Sequence, residues 1–348
     1  MILATARRMR NYPRRDGLAG HCGYAVSMTR DIIAVDIGGT NARFCRARIG
    51  EGSPPELGTI RKYRVADHPG LADAWQAFAR DEAAFLPSQA VIALAAPVDR
   101  TPIKLTNSPW IVDPVELKHR LELDRLVLVN DFVAMAHGVT AMPRDRLRHL
   151  FGLDEGLPET GTISVIGPGT GLGVALISRQ GSPRIIATEG GHMDFAAIDE
   201  MDDALLARLR SRFGRVSAER VVSGPGLSVL YQALAGVEGQ DVPELEDAAL
   251  WRVALDGSDR LAVRALERLC RGYGTVAGDL ALAHGAGAVV LAGGLTARMS
   301  ASPVFAAFQE RFIAKGRYRS RMGEMPVYFA DHPEAGLFGA AAAGAALL

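Results

Sequence analysis

The stretch "AVDIGGTNARF", Ala34–Phe44, decides how this chain is read. An apolar run, Ile32–Val35, gives way to one carboxylate, Asp36, and the chain then turns through Gly38, Gly39, Thr40 and Asn41. From Ala42 onward ("ARFCRARIG") apolar and polar residues alternate again. A doubly wound dinucleotide-binding sheet follows its glycine turn with a helix. Alternation predicts a second strand instead, and so a β-hairpin. Glycines leave backbone N–H groups unscreened, and successive N–H groups form a concavity that holds anions. Thr40 and Asn41 add polar donors. A carboxylate at a strand end beside phosphates is placed to hold Mg²⁺, directly or through its water. Taken alone, the stretch also fits a tight hairpin with Asp36 as a turn cap.

The pattern returns downstream. "ISVIGPGTGLGVALIS", Ile163–Ser178, is again strand, glycine–threonine turn, strand. Two such hairpins, each opening a half with helices after it, predict duplicated α/β units facing one cleft. Gly169, Thr170 and Gly171 form the second candidate phosphate turn. The run departs from G-x-G-x-x-G because Leu172 stands at the third glycine, and no G-x-x-x-x-G-K-[ST] occurs, so this is not a P-loop. "AGGL", Ala292–Leu295, closes a buried strand where Gly293 and Gly294 would let backbone approach an adenine; a plain connector is the alternative.

The remaining pattern places a third strand over "LGTIRKYRVA" and a helix through Leu71, Trp75, Phe78 and Phe85. Buried strands follow at "AVIALAAPV", "RLVLVND" and "PVYFA", helices dominate from Asp199 to His284, and an Ala-rich packing helix ends the chain. The expected division is an N-terminal arm (1–30), a small lobe (31–135) rejoined by the last helix (336–348), and a large lobe (136–335).

Candidate chemistry gathers at three places. "VNDF" sets Asn130 and Asp131 where a strand hands over to a helix. An apolar-walled strand end suits a carboxylate base, although Asp is also a favoured helix N-cap. "TEGGHMDF" supplies Glu189 and His192, and "SAERVVSGPG" supplies Glu219. Carboxylates, an amide and an imidazole are what a cleft needs to bind several sugar hydroxyls. His192 alone would also fit a metal ligand or a structural histidine.

Bulk properties bound these readings. The chain has 348 residues, is 48% hydrophobic and 22% charged, and suggests a soluble globular protein of two domains. Lys+Arg and Asp+Glu balance at 39 each, which argues against nucleic acid or an anionic membrane as partner. Cys22, Cys45 and Cys270 are scattered without CxxC spacing, pointing to a reducing, cytoplasmic location. No apolar run reaches the roughly 20 residues of a membrane span. The first 30 residues carry six arginines and one acid, without the apolar core of a secretory signal. They read as a disordered arm or as sequence upstream of a natural start at Met28.

Together, "DIGGTNARF", "TNSPW", "VNDFVAMA", "GPGTGLGVA", "EGGHMDF", "SAERVVSGPGL" and "LAGGL" resemble, in order and spacing, the bacterial ATP-dependent glucokinases. The resemblance runs from about Asp31 to the C-terminus and leaves out the arm. It implies an α/β, two-lobed actin/hexokinase-like (ribonuclease H-like) fold around a central cleft. It also implies transfer from ATP–Mg²⁺ to the C6 hydroxyl of glucose, giving glucose 6-phosphate. Position by position, Asp36, Gly38, Gly39, Thr40 and Asn41 fall on the first phosphate motif, with Asp36 on Mg²⁺ through water. Gly169, Thr170 and Gly171 fall on the second, and Gly293 and Gly294 on the adenosine motif. Asn107, Asn130, Asp131, Glu189, His192 and Glu219 fall on or near the sugar, with Asp131 as base. A related family of repressors and open-reading-frame sugar kinases carries a Cys-rich zinc motif after its histidine; this chain has none. Implied partners are glucose and ATP, with a homodimer compatible. A kinase of fructose, mannose or an N-acetylhexosamine is the nearest alternative. A transcription regulator would need a helix-turn-helix segment, for which the arm is too short and unpatterned.

Overall fold

The computed structural model describes residues 29–105 and 108–348. The N-terminal half opens with β1 (Arg30–Ile37) and β2 (Asn41–Ile49), followed by β3 (Glu56–Leu57), β4 (Arg61–Arg64), α1 (Leu71–Glu82) and β5 (Gln89–Leu94). A small ribbon of β6 (Ile103–Lys104) and β7 (Ile111–Val112) leads to α2 (Pro114–Arg120), β8 (Arg125–Asn130) and α3 (Asp131–Ala141). The second half begins with β9 (Leu147–Phe151), β10 (Gly161–Pro168), β11 (Leu172–Arg179) and β12 (Arg184–Thr188). A helical block follows: α4 (Glu200–Phe213), α5 (Ala218–Val221), α6 (Gly224–Val237), α7 (Asp247–Asp256) and α8 (Arg260–Ala283). The chain ends through β13 (Ala288–Leu291), α9 (Gly294–Ser300), α10 (Ala306–Ile313), α11 (Arg319–Glu324), β14 (Val327–Ala330) and α12 (Ala335–Leu347).

The two halves repeat one topology. The first sheet runs β3-β2-β1-β5-β8 and the second β12-β11-β10-β13-β14, with β9 added antiparallel at the far edge. In each, a hairpin lies antiparallel and two further strands join parallel to its first strand: β5 and β8 beside β1, β13 and β14 beside β10. This is the duplicated hairpin that the two glycine–threonine stretches announce, in the actin/hexokinase-like arrangement.

β1 and β5 read as unbroken apolar runs because both faces of their sheet are covered. Ile33, Val35 and Ile37 pack with Trp75 and Phe78 of α1 on one face; Ile32 and Ala34 pack with Leu337, Ala340 and Ala341 of α12 on the other. The Ala-rich tail is thus a packing helix against α3, β1, β2 and β5. Its crossing with α3 is close because Gly138 and Gly339 face each other; a Cβ at Gly138 would lie 3.2 Å from the Gly339 Cα. α3 turns one side to this layer and the other to the second sheet, where Ala136, Val139 and Met142 pack with Val165 and Ala175. The expected lobe boundary at 135/136 therefore falls inside a helix that serves both cores.

Two expectations need correction. Phe85 lies beyond the end of α1 and is 91% exposed, so the helical period stops at Phe78. The third strand is broken in two. β3 pairs with β2 in one register (Ala47↔Leu57) and β4 in a register shifted by one residue (Asn41↔Arg64). Gly58 sits at the break, its N–H on the Arg46 carbonyl at 2.8 Å, where a Cβ would approach that oxygen to 2.9 Å. A bulge of this kind bends an edge strand and blunts it. Sequence patterning also missed β9 and β12, edge strands whose mixed exposure hides their alternation. Among the described residues, no helix is long and apolar enough to cross a membrane.

Candidate active site

Asn130 and Asp131 share the junction of β8 and α3, and the structure divides their work. Asn130 is the N-cap: its Oδ1 accepts from the N–H groups of Phe132 (2.9 Å) and Val133 (3.2 Å). Its Nδ2 donates to the Ala96 carbonyl at 3.4 Å. Asp131 is the first helical residue, and its Oδ1 accepts from the Phe132 N–H at 2.9 Å. The capping alternative for Asp131 therefore falls to its neighbour, and Asp131 lines the cleft. Burial pushes the Asp131 carboxyl up to about 6, the Phe132 N–H opposes the shift, and the charges of Asp36 and Glu189 add to it. A carboxylate poised near neutrality suits proton abstraction.

Asp131 borders a cleft of about 290 Å³ between the ends of the two sheets, a volume suited to a small ligand. Asn130 and Asp131 line one side; Gly169, Thr170, Gly171, Glu189, His192 and Glu219 line the other. Glu219 sits in the first turn of α5, which Ser217 caps. Its Oε2 accepts from the Leu172 N–H at 2.9 Å and lies so close over Gly171 that a Cβ there would collide with it. The carboxylate thus touches the second phosphate turn directly.

Glu189 and His192 flank a short 3₁₀ turn after β12. Gly191 lies flat on the Leu172 carbonyl, where any Cβ would clash, and this presses the loop against β11. The two side chains are 3.9 Å apart and 70% and 57% exposed, so this wall of the cleft is open to solvent. The loop is tied to the Glu219 segment: Ala218 N–H donates to Met193 O at 2.8 Å and Phe195 N–H to Val216 O at 3.0 Å. Arg215, which sequence reading did not single out, clamps both ends by donating to the His192 carbonyl and pairing with Asp194 at 2.6 Å.

The hairpin turns differ in length, four residues between Ile37 and Ala42 and three between Pro168 and Leu172. Gly38 N–H donates to Asn41 O at 3.0 Å, and Gly169 N–H to Gly171 O at 2.8 Å. Neither Gly38 nor Gly39 adopts a positive φ, so these glycines keep space clear of side chains rather than permit a left-handed turn. Gly293 does require glycine: its φ is +91°, and its Cα faces the Pro168 carbonyl of the second hairpin. Asp36, Gly38, Gly39, Thr40, Asn41, Gly293 and Gly294 stand off the cleft wall, while Asp36 remains close enough to act on Asp131. Asn107 lies outside the described residues, as does the arm through residue 28.

Asp36 is not the bare carboxylate that the sequence suggests. Its Oδ2 takes Arg43 at 3.0 Å, and Arg43 also reaches Glu334 at 3.6 Å. It lies against Gly336 in the first turn of α12, where a Cβ would collide with it. Burial raises its pKa, Arg43 opposes the shift and Glu334 adds to it. Among the described residues, no group of three or more His, Cys, Asp or Glu could hold a metal. One carboxylate suits an ion that arrives on phosphate oxygens and keeps its waters, as Mg²⁺ does.

The Glucokinase family model matches residues 33–347. A glucokinase of Zymomonas mobilis is 47% identical over 314 residues, covering 90% of this chain and 97% of that one. A glucokinase of Paramagnetospirillum magneticum is 39% identical, covering 88% and 95%. Among solved structures, a glucokinase from an Antarctic psychrotroph superposes with a TM-score of 0.78 at 33% identity, covering 90% and 98%.

Proposed function

The chain belongs to the glucokinase family and is an ATP-dependent glucose kinase, and from that premise we propose how its cleft performs the transfer. Asp131 takes the proton of the sugar C6 hydroxyl as that oxygen attacks the γ-phosphorus of ATP, giving glucose 6-phosphate and ADP. The observation that carries this reading is the division of labour at the β8–α3 junction: Asn130 caps the helix, and Asp131 is half-buried, raised to about 6 and in one cleft with the Gly169–Gly171 turn.

Glu189, His192 and Glu219 supply acceptors and a donor for the remaining hydroxyls, joined by Asn130 and, outside the described residues, Asn107. The carboxylates of this cleft are acceptors that suit the hydroxyls of a neutral polyol. The phosphates fit the two hairpin turns, Gly38–Asn41 and Gly169–Gly171, and the adenosine fits Gly293–Gly294. Phosphoryl transfer has a loose transition state, so positioning and charge neutralisation dominate. Asp36 would hold Mg²⁺ through one of its waters, and the ion would neutralise charge on the β- and γ-phosphates. Residues 31–135 with α12, and 136–335, are read as the two lobes that close over the sugar and expel competing water. Balanced charge and the buried free thiols Cys45 and Cys270 support work on small molecules in a reducing cytoplasm. A coupled assay with ATP against a panel of hexoses tests the reading; faster turnover of fructose, mannose or an N-acetylhexosamine than of glucose would replace it.

The pH profile follows from the base. Asp131 must be ionised to accept a proton, so kcat/KM should fall tenfold per pH unit once the pH drops below about 6. A flat profile down to pH 4.5 would remove Asp131 from that role.

Glu219→Ala and His192→Ala should weaken sugar use more than nucleotide use. Unpairing a buried hydroxyl costs about 1–3 kcal/mol, so glucose KM should rise roughly 5- to 150-fold, or kcat should fall correspondingly. A change confined to the KM for ATP would move these residues to the nucleotide side. Glu219 also bonds the Leu172 N–H, so its variant should show the larger secondary effect on ATP.

A further inference from the structure

The four glycines of the second hairpin do two different jobs. Gly169 and Gly171 flank the turn, whereas Gly167 and Gly173 sit opposite each other in β10 and β11, on the cleft wall beside Phe132. A cross-strand glycine pair leaves bare backbone where two neighbouring side chains would stand. The ring of Phe132 fills this slot. A Cβ at Gly173 would collide with the ring, and one at Gly167 would stand 3.0 Å from its Cζ. The Ala292 carbonyl also crowds the space where a Gly167 Cβ would stand.

Phe132 belongs to α3, directly after Asp131. Its backbone N–H donates to Asp131 Oδ1 and to Asn130 Oδ1, each at 2.9 Å. One residue therefore holds the carboxylate with its backbone and the hairpin with its ring. We propose that Phe132 is a positioning residue: seated in the Gly167–Gly173 slot, it fixes the separation between the Asp131 carboxylate and the phosphate turn Gly169–Gly171. This rests on the reading of Asp131 as base. The lever is short, because the ring and the N–H that holds the carboxylate belong to one residue. A displacement of about 1 Å between reacting groups costs on the order of 10²-fold in rate. Glu189 and His192 are carried by the loop after β12, so their hold on the sugar does not run through the ring.

The test compares Phe132→Ala, Phe132→Leu, Gly173→Ala and the double variant Phe132→Ala/Gly173→Ala in the full chain. Each preparation is scored for kcat per folded molecule, glucose KM and melting temperature. Phe132→Ala and Gly173→Ala should each lower kcat by about 10- to 100-fold with glucose KM within about threefold of wild type. Phe132→Leu, which still fills the slot, should recover most of the rate. Either single change removes the ring from the slot, one by deleting it and the other by displacing it, so the double variant should be no slower than the slower single. Losses that multiply, a Phe132→Ala kcat within threefold of wild type, or a glucose KM that rises in step with the fall in kcat would overturn the proposal. Asp131→Asn is measured alongside. Wild-type kcat in that variant overturns the base and the proposal with it. An inactive Asp131→Asn beside a failing Phe132 series overturns the positioning role alone.

Discussion

Asp131→Asn should abolish turnover while leaving glucose binding in place, with kcat falling by roughly 10²- to 10⁴-fold, the usual contribution of a general base. Asparagine keeps the shape and can still accept the Phe132 N–H that the carboxylate accepts at 2.9 Å, but it cannot take the proton. The same variant should be more stable than wild type. Burial holds the Asp131 carboxyl up to about 6, above its ordinary 3.8. The folded chain therefore binds that proton more tightly than the unfolded chain does. The resulting penalty is absent below pH 4, grows between 4 and 6, and is complete above 6. Asparagine carries no charge and escapes it, so the variant should melt roughly 2–5 °C higher at pH 8 and level with wild type near pH 4. Glucose titrated by intrinsic Trp fluorescence, turnover and melting curves at both pH values check the three parts. A variant within threefold of wild-type kcat would remove Asp131 as the base. Equal melting at pH 8 would show that its charge is solvated.

Asp36→Ala should also lose turnover, for a different reason. Its carboxylate ends a buried strand, so the backbone beneath it is rigid, and it stands beside a turn cleared of side chains by Gly38 and Gly39. Holding one water of a phosphate-bound Mg²⁺ would fix the β- and γ-phosphates for transfer. Its removal should cut kcat by about 10²-fold, the scale of a lost positioning contact, and shift the rate to higher Mg²⁺. Glucose affinity of the ATP-free protein should change little. The stability cost should be small: the Asp36–Arg43 pair has one partner with a 40% exposed side chain, and Arg43 retains Glu334 at 3.6 Å. Such pairs contribute about 0–1 kcal/mol. Full activity per folded molecule with an unchanged Mg²⁺ curve would leave Asp36 as architecture that anchors Arg43 and the first turn of α12.

Much of this protein was legible in one dimension. The β1–β2 and β10–β11 hairpins are written in alternation broken by glycine and threonine. Their repetition gives the duplicated topology, and Asp131 stands at a strand-to-helix junction visible in "RLVLVND". These features are set by backbone preference and hydrophobic period within about ten residues. The resemblance then located Glu189, His192 and Glu219, which no local period could bring to one cleft.

Tertiary structure decided what each marked residue does. Asn130, read as a sugar contact, also caps α3, because its Oδ1 reaches two N–H groups that only the folded turn presents. Glu219 rests on the phosphate turn, Arg43 occupies an oxygen of Asp36, and Arg215 clamps the His192 loop. These contacts join segments far apart in sequence or on different strands, and local patterning carries no record of them. The glycines of "GPGTGLG" show the limit most clearly. In sequence all four read as one phosphate loop. In the fold Gly169 and Gly171 belong to the turn, while Gly167 and Gly173, which line the same cleft, are small because the ring of Phe132, far earlier in the chain, lies where their side chains would be. A glycine states that space is needed; only the packed structure says what fills it.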